Sequence, residues 1–345
     1  MRGVRRPGYG YRVSGRVSVE HLYRKHRVAA VLTVAAALAF GALFGLAWSA
    51  GLTTVFHRLI HLRWYWVPIA LGAEVVGYIG YVLAYREVAR AEDGAEFGLT
   101  RSAAAVATGF GVFVASGGFV LDESVLKSTG MPAKEARSRV LGLGALEYLV
   151  LAPAAMGAAL YLVIQAKPDL DAALTFPWII GVPLGFAAAG ALLLLRHRFD
   201  LRKGWVREHV AHAFEALCLV RTLVLRPVPY GLAFAGIALY WVGDIACLWA
   251  ALHVFFADPP PVPQLVLGYA TGYALTRRTL PLGGAGIVDA LLPLSLVWVG
   301  IALAPAVLAV VVYRFMNLWL PIIPALAGLP TLRRLSSRRR AHAAT

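Results

Sequence analysis

The chain has 345 residues, of which 59% are hydrophobic and 15% are charged, and its mean hydropathy is +0.69. A soluble domain of this length carries more charge and fewer apolar residues, so the composition excludes that class. Several apolar runs reach the roughly 20 residues that a helix needs to cross a bilayer. The sequence therefore predicts an all-α polytopic membrane protein.

The formal net charge of +15 is concentrated at the edges of the apolar runs. This distribution is typical of cytoplasmic loops and of contacts with anionic lipid headgroups. Nucleic-acid binding would need a basic patch interleaved with aromatic residues, and the sequence has none. We therefore expect membrane lipids as partners and no nucleic acid.

Six apolar runs predict full transmembrane helices, and two further runs are interrupted by glycine, serine or charged residues. The predicted crossings are 28–50, 65–85, 141–164, 176–195, 229–252 and 304–328, and the broken segments are 102–121 and 264–303. Each broken segment is predicted to form a re-entrant hairpin that enters and leaves on one side. A basic segment, 1–27, precedes this transmembrane domain at 28–328, and a basic tail, 329–345, follows it.

Lysine and arginine residues decide the predicted orientation. Residues 1–27 hold eight of them against one acid, and 196–207 and 331–345 hold five each. The positive-inside rule places all three segments in the cytoplasm, and six crossings then put both termini there. The segment "WVREHVAHAFEALCLVRTLVL" (205–225) is predicted to be an amphipathic helix on the same membrane surface.

Two stretches of the chain resemble each other. The sequence "AVATGFG" (105–111) matches "GYATGYA" (268–274), and "ASGGFVLDE" (115–123) loosely matches "LGGAGIVDA" (282–290). Chance similarity between Gly/Ala-rich apolar stretches is the alternative to a true repeat.

We interpret the similarity as two repeats, about 65–164 and 229–328, joined by linking helices at 176–225. Each repeat would consist of a crossing helix, a broken hairpin and a second crossing helix. The single crossing at 176–195 turns the second repeat upside down relative to the first. The prediction is an inverted-topology repeat, a plan common in secondary transporters.

Charged residues inside the apolar runs are the candidate functional residues, because a charge at the bilayer centre costs about 2.5–3.5 kcal/mol. Glu74 lies one turn before Tyr78, and Asp244 lies one turn after Tyr240 and Trp241. These neighbours can donate hydrogen bonds to the carboxylates. The two acids are interpreted either as polar contacts between packed helices or as the lining of a polar cavity.

Glu147 and Arg314 occupy matching places in the two repeats. We hypothesise that they approach each other, either as an ion pair or through a bound ligand. The alternative is that each belongs to a buried ion pair that only holds helices together. Asn317 lies one turn after Arg314 and could share an anionic group with it.

The stretch "RRTLPLGGAGIVD" (277–289) interrupts the second broken segment. Glycines such as Gly283 and Gly284 let the backbone turn tightly, and a helix beginning near Gly284 would direct free N–H groups into the break. With Arg277 and Arg278 beside it, the stretch is a candidate phosphate site, and Asp289 completes the candidate set. The alternative is a re-entrant turn whose arginines extend to the headgroups.

Catalytic signatures are missing from the sequence. It contains no HExxH, GxSxG or nucleotide-binding motif. Cys218 and Cys247 form no CxxC pair, and the spacing of His57 and His61 is more often found on a solvated face than in a metal site. We expect no catalytic residue, no metal, no cofactor and no enzymatic activity.

The C-terminal third, from "LPLGGAGIVD" to "YRFMNLWLP", resembles the lysylphosphatidylglycerol synthase transmembrane region family, a flippase-like domain. The matching positions are Pro281 to Gly286, Asp289, Gly300, Tyr313, Arg314, Trp319 and Pro321, and "ALEYLVL" makes Glu147 the match of a further acidic segment. The resemblance covers 28–328. The sequence departs from the family at "ASGGFVLDE" and at Leu282, which follows Pro281 directly.

The resemblance implies lipid handling, because in bifunctional members this domain moves aminoacylated phospholipid between leaflets. Those members add a soluble aminoacyl-transferase domain, and we expect this chain to be a flippase-like module without it. The expected function is translocation of a lipid or lipid-linked substrate in the bacterial inner membrane, with an anionic or phosphate-bearing headgroup. The alternatives are a membrane enzyme or a non-transporting partner of an envelope glycosyltransferase, and a homo-oligomer stays open.

Overall fold

The computed structural model describes residues 16–91, 94, 96, 98–116, 123, 126–127, 131–165, 172–194, 205–255, 260–274 and 281–323. All regular secondary structure in these residues is helical. The prediction of an all-α protein is therefore confirmed. The terminal basic segments before residue 16 and after residue 323, and the basic stretch 195–204, lie outside the described residues.

Eleven α-helices are present in the described residues. They are α1 (Arg16–Ser49), α2 (Leu52–Ile60), α3 (Trp66–Arg90), α4 (Leu99–Ser116), α5 (Ala133–Ile164), α6 (Ala172–Leu194), α7 (Trp205–Leu225), α8 (Pro227–Phe255), α9 (Val262–Tyr269), α10 (Ile287–Trp298) and α11 (Leu303–Arg314). Short π-helical turns follow α9 at Ala270–Ala274 and α11 at Phe315–Trp319, and a 3-10 turn covers Pro281–Gly284.

Five helical stretches are long and apolar enough to cross a membrane. They are Ala30–Ser49, Trp66–Arg90, Ala133–Ile164, Ala172–Leu194 and Val228–Phe255. These correspond to the first five predicted crossings, and the prediction of a multi-pass membrane protein is confirmed. The predicted sixth crossing, 304–328, begins as the shorter apolar helix Leu303–Trp319, and residues 324–328 lie outside the described part.

Some helix boundaries agree with the sequence prediction and others differ. Helix α7 has the predicted bounds, whereas α5 begins at Ala133 instead of at 141, because its first two turns are polar and carry no apolar signal. The predicted outer loop between the first two crossings contains α2, a short helix with Val55 buried and Phe56 and Ile60 exposed.

The second broken segment is interrupted where the sequence predicts. Helix α9 and its π-turn extend to Ala274, and Pro281–Gly284 form a 3-10 turn that leads into α10. Helix α4 packs against this 3-10 turn, so the two broken segments meet inside the protein. The turn of the first segment, residues 117–122, lies outside the described residues.

Helices α3 and α8 form the most extensive contact in the protein. Glycines lie at this crossing on both helices: a Cβ at Gly80 would lie 2.5 Å from the carbonyl oxygen of Gly236, and one at Gly77 would lie 3.2 Å from that of Tyr240. The backbones can approach this closely only because the side chains are absent, as is common between membrane helices. These two helices carry Glu74 and Asp244.

Candidate functional site

Asp244 lies at the centre of a buried polar cluster. Its side chain is 1% exposed, and its two oxygens accept hydrogen bonds from four neutral donors. Tyr313 and Asn317 donate to Oδ1 at 3.0 and 2.8 Å, Tyr269 donates to Oδ2, and Tyr240 reaches Oδ2 at 3.5 Å. These donors satisfy both oxygens of a side chain that would be costly to bury without hydrogen-bond partners.

Asn317 connects Asp244 to Glu74. Its Nδ2 donates to Asp244 and also lies 3.3 Å from Oε1 of Glu74, while its Oδ1 accepts a 2.6 Å hydrogen bond from Tyr273. Asn317 lies in the π-helical turn Phe315–Trp319, which directly follows α11. One amide thereby links side chains from the first helices of the two predicted repeats.

Arg314 and Asp289 form a second buried pair beside this cluster. The Nε atom of Arg314 lies 2.6 Å from Oδ1 of Asp289, and their side chains are 2% and 1% exposed. The other carboxylate oxygen accepts a 2.8 Å hydrogen bond from the backbone N–H of Gly286, which precedes α10. Asp289 therefore neutralises a buried arginine and also caps the helix that begins beside it.

The carboxylate of Asp289 lies where the sequence suggested that a phosphate would bind. The backbone N–H of Gly286 at the start of α10 donates its hydrogen bond to this side chain. The helix begins at Ile287, near the predicted Gly284. Arg277 and Arg278 lie outside the described residues, so their predicted contact with phosphate stays a prediction.

The turn that holds Gly283 and Gly284 packs against the first helix. Gly284 and Gly286 have φ angles of 70° and 84°, a region that glycine enters without strain. A Cβ at Gly286 would lie 3.1 Å from that of Leu38 on α1. Helix α1 thus covers the break in the second segment.

Glu147 is buried on α5, and its backbone carbonyl accepts a 2.9 Å hydrogen bond from the indole N–H of Trp241. Helix α5 packs mainly on α6, α7 and α9, whereas Arg314 lies on α11 and pairs with Asp289. The predicted approach of Glu147 and Arg314 stays a prediction. Trp241 was predicted as a donor to Asp244, and its N–H instead links α8 to α5.

The donor that helical spacing predicted for Glu74 also has a different partner. Tyr78, one turn away on the same helix, donates its hydroxyl hydrogen to the carbonyl oxygen of Ala103 on α4 instead. The strongest donors to Asp244 come from other helices: Tyr269 ends α9, and Tyr313 precedes Arg314. The only sequence signal for them is that tyrosines recur in the second broken segment and last helix.

An apolar cavity of about 260 Å³ opens beside Glu74. Helices α3 and α4 and the end of the last helix form its wall, and Glu74 is the charged side chain in that wall. Glu74 is half-buried, between this cavity and Asn317. The apolar cavity therefore borders the polar cluster at Glu74.

The cluster offers hydrogen-bond acceptors and one buried cation inside an apolar helix bundle. Among the described residues, no group of three or more His, Cys, Asp or Glu side chains could hold a metal ion. The arrangement suits recognition of a polar group at membrane depth. His57 on α2 and His61 directly after that helix, by contrast, are exposed.

The fold and this cluster define a polytopic α-helical membrane protein with a polar centre inside its apolar helices. The chain belongs to the lysylphosphatidylglycerol synthase TM region family, which matches residues 28–325. The match covers most of the chain and includes both broken segments, and it assigns the protein to a lipid-related membrane family. No curated protein matches the chain.

Proposed function

We propose that this protein translocates a lipid or a lipid-linked substrate across the membrane and is not an enzyme. The observation that carries the proposal is the link from Asp244 through Asn317 to Glu74, beside a cavity between membrane helices. A membrane protein that needed only packing could bury apolar side chains there at lower cost. Polar groups at the depth of a helix break are expected where a headgroup passes.

The substrate that we propose has a phosphate-bearing headgroup and apolar chains. The cluster supplies the carboxylates of Glu74 and Asp244 and the guanidinium of Arg314, and the sequence adds Arg277 and Arg278. Arginine matches phosphate through its planar donors, and carboxylates accept from hydroxyl or amine groups. We further propose the bacterial inner membrane as its location, with both termini in the cytoplasm.

Replacing Asp244 with asparagine tests this function. The change keeps the shape of the side chain, but one of the two acceptor oxygens becomes a donor that faces tyrosine hydroxyls. Hydrogen bonds to a charged group contribute about 1.5–3 kcal/mol, so we expect translocation to fall about tenfold to a hundredfold. The measurement is the rate at which labelled phosphatidylglycerol changes leaflet in proteoliposomes.

The matched control is Glu96→Gln, because Glu96 is an exposed acid between α3 and α4. This variant should translocate at the wild-type rate. An Asp244→Asn protein as active as the control would overturn the assignment of the site. A wild-type protein that moves no anionic, aminoacylated or polyprenyl lipid would overturn the function and favour the enzyme or partner alternatives.

A further inference from the structure

Two cavities lie along the contact between α3 and α4, and Tyr78 lines both of them. The first, of about 260 Å³, extends from Tyr78 towards Leu71 and contains Glu74 in its wall. The second, of about 280 Å³, extends from Tyr78 towards Leu83 and Leu99. The two helices run antiparallel, so the cavities form consecutive parts of one groove that the Tyr78 side chain divides.

Tyr78 lies at the midpoint of its helix. Helix α3 runs from Trp66 to Arg90, so twelve residues lie on either side of the tyrosine. Each half is about 18 Å long at 1.5 Å per residue. The two cavities therefore extend from the middle of α3 towards its two ends.

Tyr78 packs against the hydrophobic core and contacts α4 through both its hydroxyl and its ring. Its hydroxyl donates to the carbonyl oxygen of Ala103 on α4, and its ring lies edge-on to Phe110 with centroids 6.2 Å apart. The side chain is half-buried. A rotation about its side-chain bonds would break its contacts with the backbone of α4 and remove the side chain that separates the two cavities.

The groove is open to the bilayer along its length. Leu71, Val75, Ile79 and Leu99 line its cavities and are between 39% and 53% exposed. The lining is apolar apart from the side chains of Glu74, Tyr78 and Thr100, and the carboxylate of Glu74 also contacts Asn317. A molecule with apolar chains and a polar end matches this distribution, and in a membrane that molecule is a lipid.

We propose that this groove is the path of a membrane lipid between the two leaflets and that Tyr78 is its gate. The inference deepens the proposed function and rests on it for the direction of movement. An acyl chain lies in one cavity, with its headgroup near Glu74, and passes to the other when the hydroxyl of Tyr78 leaves Ala103. Tyr78 thus forms the barrier between the two cavities and takes no part in a chemical reaction.

Photo-crosslinking tests whether lipid occupies the groove. A benzophenone amino acid replaces Leu71 in one variant and Leu83 in another, so each cavity carries one probe. The control replaces Ile180, which is 54% exposed on α6, away from the groove. After detergent washing, we expect mass spectrometry to find more crosslinked phospholipid at both groove positions than at the control, which contacts only the surrounding bilayer. Equal capture at all three positions would overturn the proposed path.

Substitutions of Tyr78 test the gate in vesicles of phosphatidylcholine and phosphatidylglycerol with labelled phosphatidylglycerol. Tyr78→Phe keeps the ring and loses one hydrogen bond, so leaflet exchange should be about fivefold faster. Tyr78→Ala should be faster still. The control, Tyr161→Phe, changes an exposed tyrosine on α5 and should match wild type. Elution as a single species in gel filtration checks folding, and Tyr78→Phe tests the gate if the alanine variant does not fold.

The results distinguish a failure of the Tyr78 gate from a failure of the proposed translocator function. Unchanged exchange in folded Tyr78→Phe and Tyr78→Ala would overturn the gate, while a loss caused by Asp244→Asn would leave the translocator function in place. Lipid captured at Leu71 and Leu83 in a protein whose wild type exchanges no lipid would keep the groove as a binding site and overturn translocation.

Discussion

Replacing Asp289 with leucine is expected to cause the largest loss of stability of any single change in the polar cluster. The substitution leaves Arg314 without its ion partner, in a site where the two side chains are 2% and 1% exposed. Removing one member of a buried ion pair costs about 3–5 kcal/mol. The change should appear as a marked fall in the midpoint of thermal unfolding of the purified protein in detergent.

The double variant, Asp289→Leu with Arg314→Met, is the decisive control. Replacing both charges with apolar groups is often neutral, so the double variant should recover most of the lost stability. It should retain a deficit of about 1 kcal/mol, because the N–H of Gly286 loses its cap. Lys134→Met, which breaks an exposed pair with Glu215, should cost less than about 1 kcal/mol. A double variant as unstable as Asp289→Leu would show that the two charges are not energetically coupled.

The double variant also separates stability from transport. If Arg314 contributes to binding a phosphate, the stable double variant will be inactive in the vesicle assay. If the pair only joins α10 to α11, the double variant will translocate as the wild type does. Either result is informative only because the protein remains folded, which the leucine variant alone cannot guarantee.

The membrane helices were predictable because the bilayer imposes a length and an apolar composition on each crossing. Helices α3, α6 and α8 accordingly agree with the predicted crossings to within a few residues at most ends. Helix α2 was not predicted, since nine residues with a histidine and an arginine give no membrane signal. Its amphipathic pattern was visible, but such a short helix forms through tertiary contacts rather than by its own propensity.

The acids and the arginine of the site were predictable for the same reason. Charge in an apolar run is unusual, so Glu74, Asp244, Asp289 and Arg314 are conspicuous in the sequence. Their partners were not predictable, because a hydrogen bond between helices depends on how the helices pack. Spacing along one helix nominated Tyr78 and Trp241 as donors to the carboxylates, and both donate to backbone carbonyls of other helices.

The role of Asn317 shows the same limit. Its position one turn after Arg314 suggested that both would hold one anion. The π-turn at Phe315–Trp319 is a change in helical geometry that residue spacing does not reveal. In the structure the amide of Asn317 contacts two carboxylates, and the guanidinium of Arg314 contacts a third.

Replacing Gly80 with alanine is expected to disrupt the contact that carries the site. The new Cβ would lie 2.5 Å from the carbonyl oxygen of Gly236 and 2.6 Å from the backbone nitrogen of Tyr240. Both are backbone atoms that cannot rotate away, so α3 and α8 must separate. Overpacking of this kind costs about 1–3 kcal/mol. The midpoint of thermal unfolding should fall, and lipid exchange should slow because Glu74 and Asp244 move apart.

Gly72→Ala is the matched control on the same helix. A Cβ there meets no atom within 4 Å, so nothing has to move. Alanine favours a helix over glycine by up to about 1 kcal/mol, and the control should be as stable as the wild type or slightly more stable. The two alanines therefore change stability in opposite directions, although the chemical substitution is identical. If Gly80→Ala were as stable and as active as Gly72→Ala, the close approach of α3 and α8 would not be what positions Asn317 between the two acids.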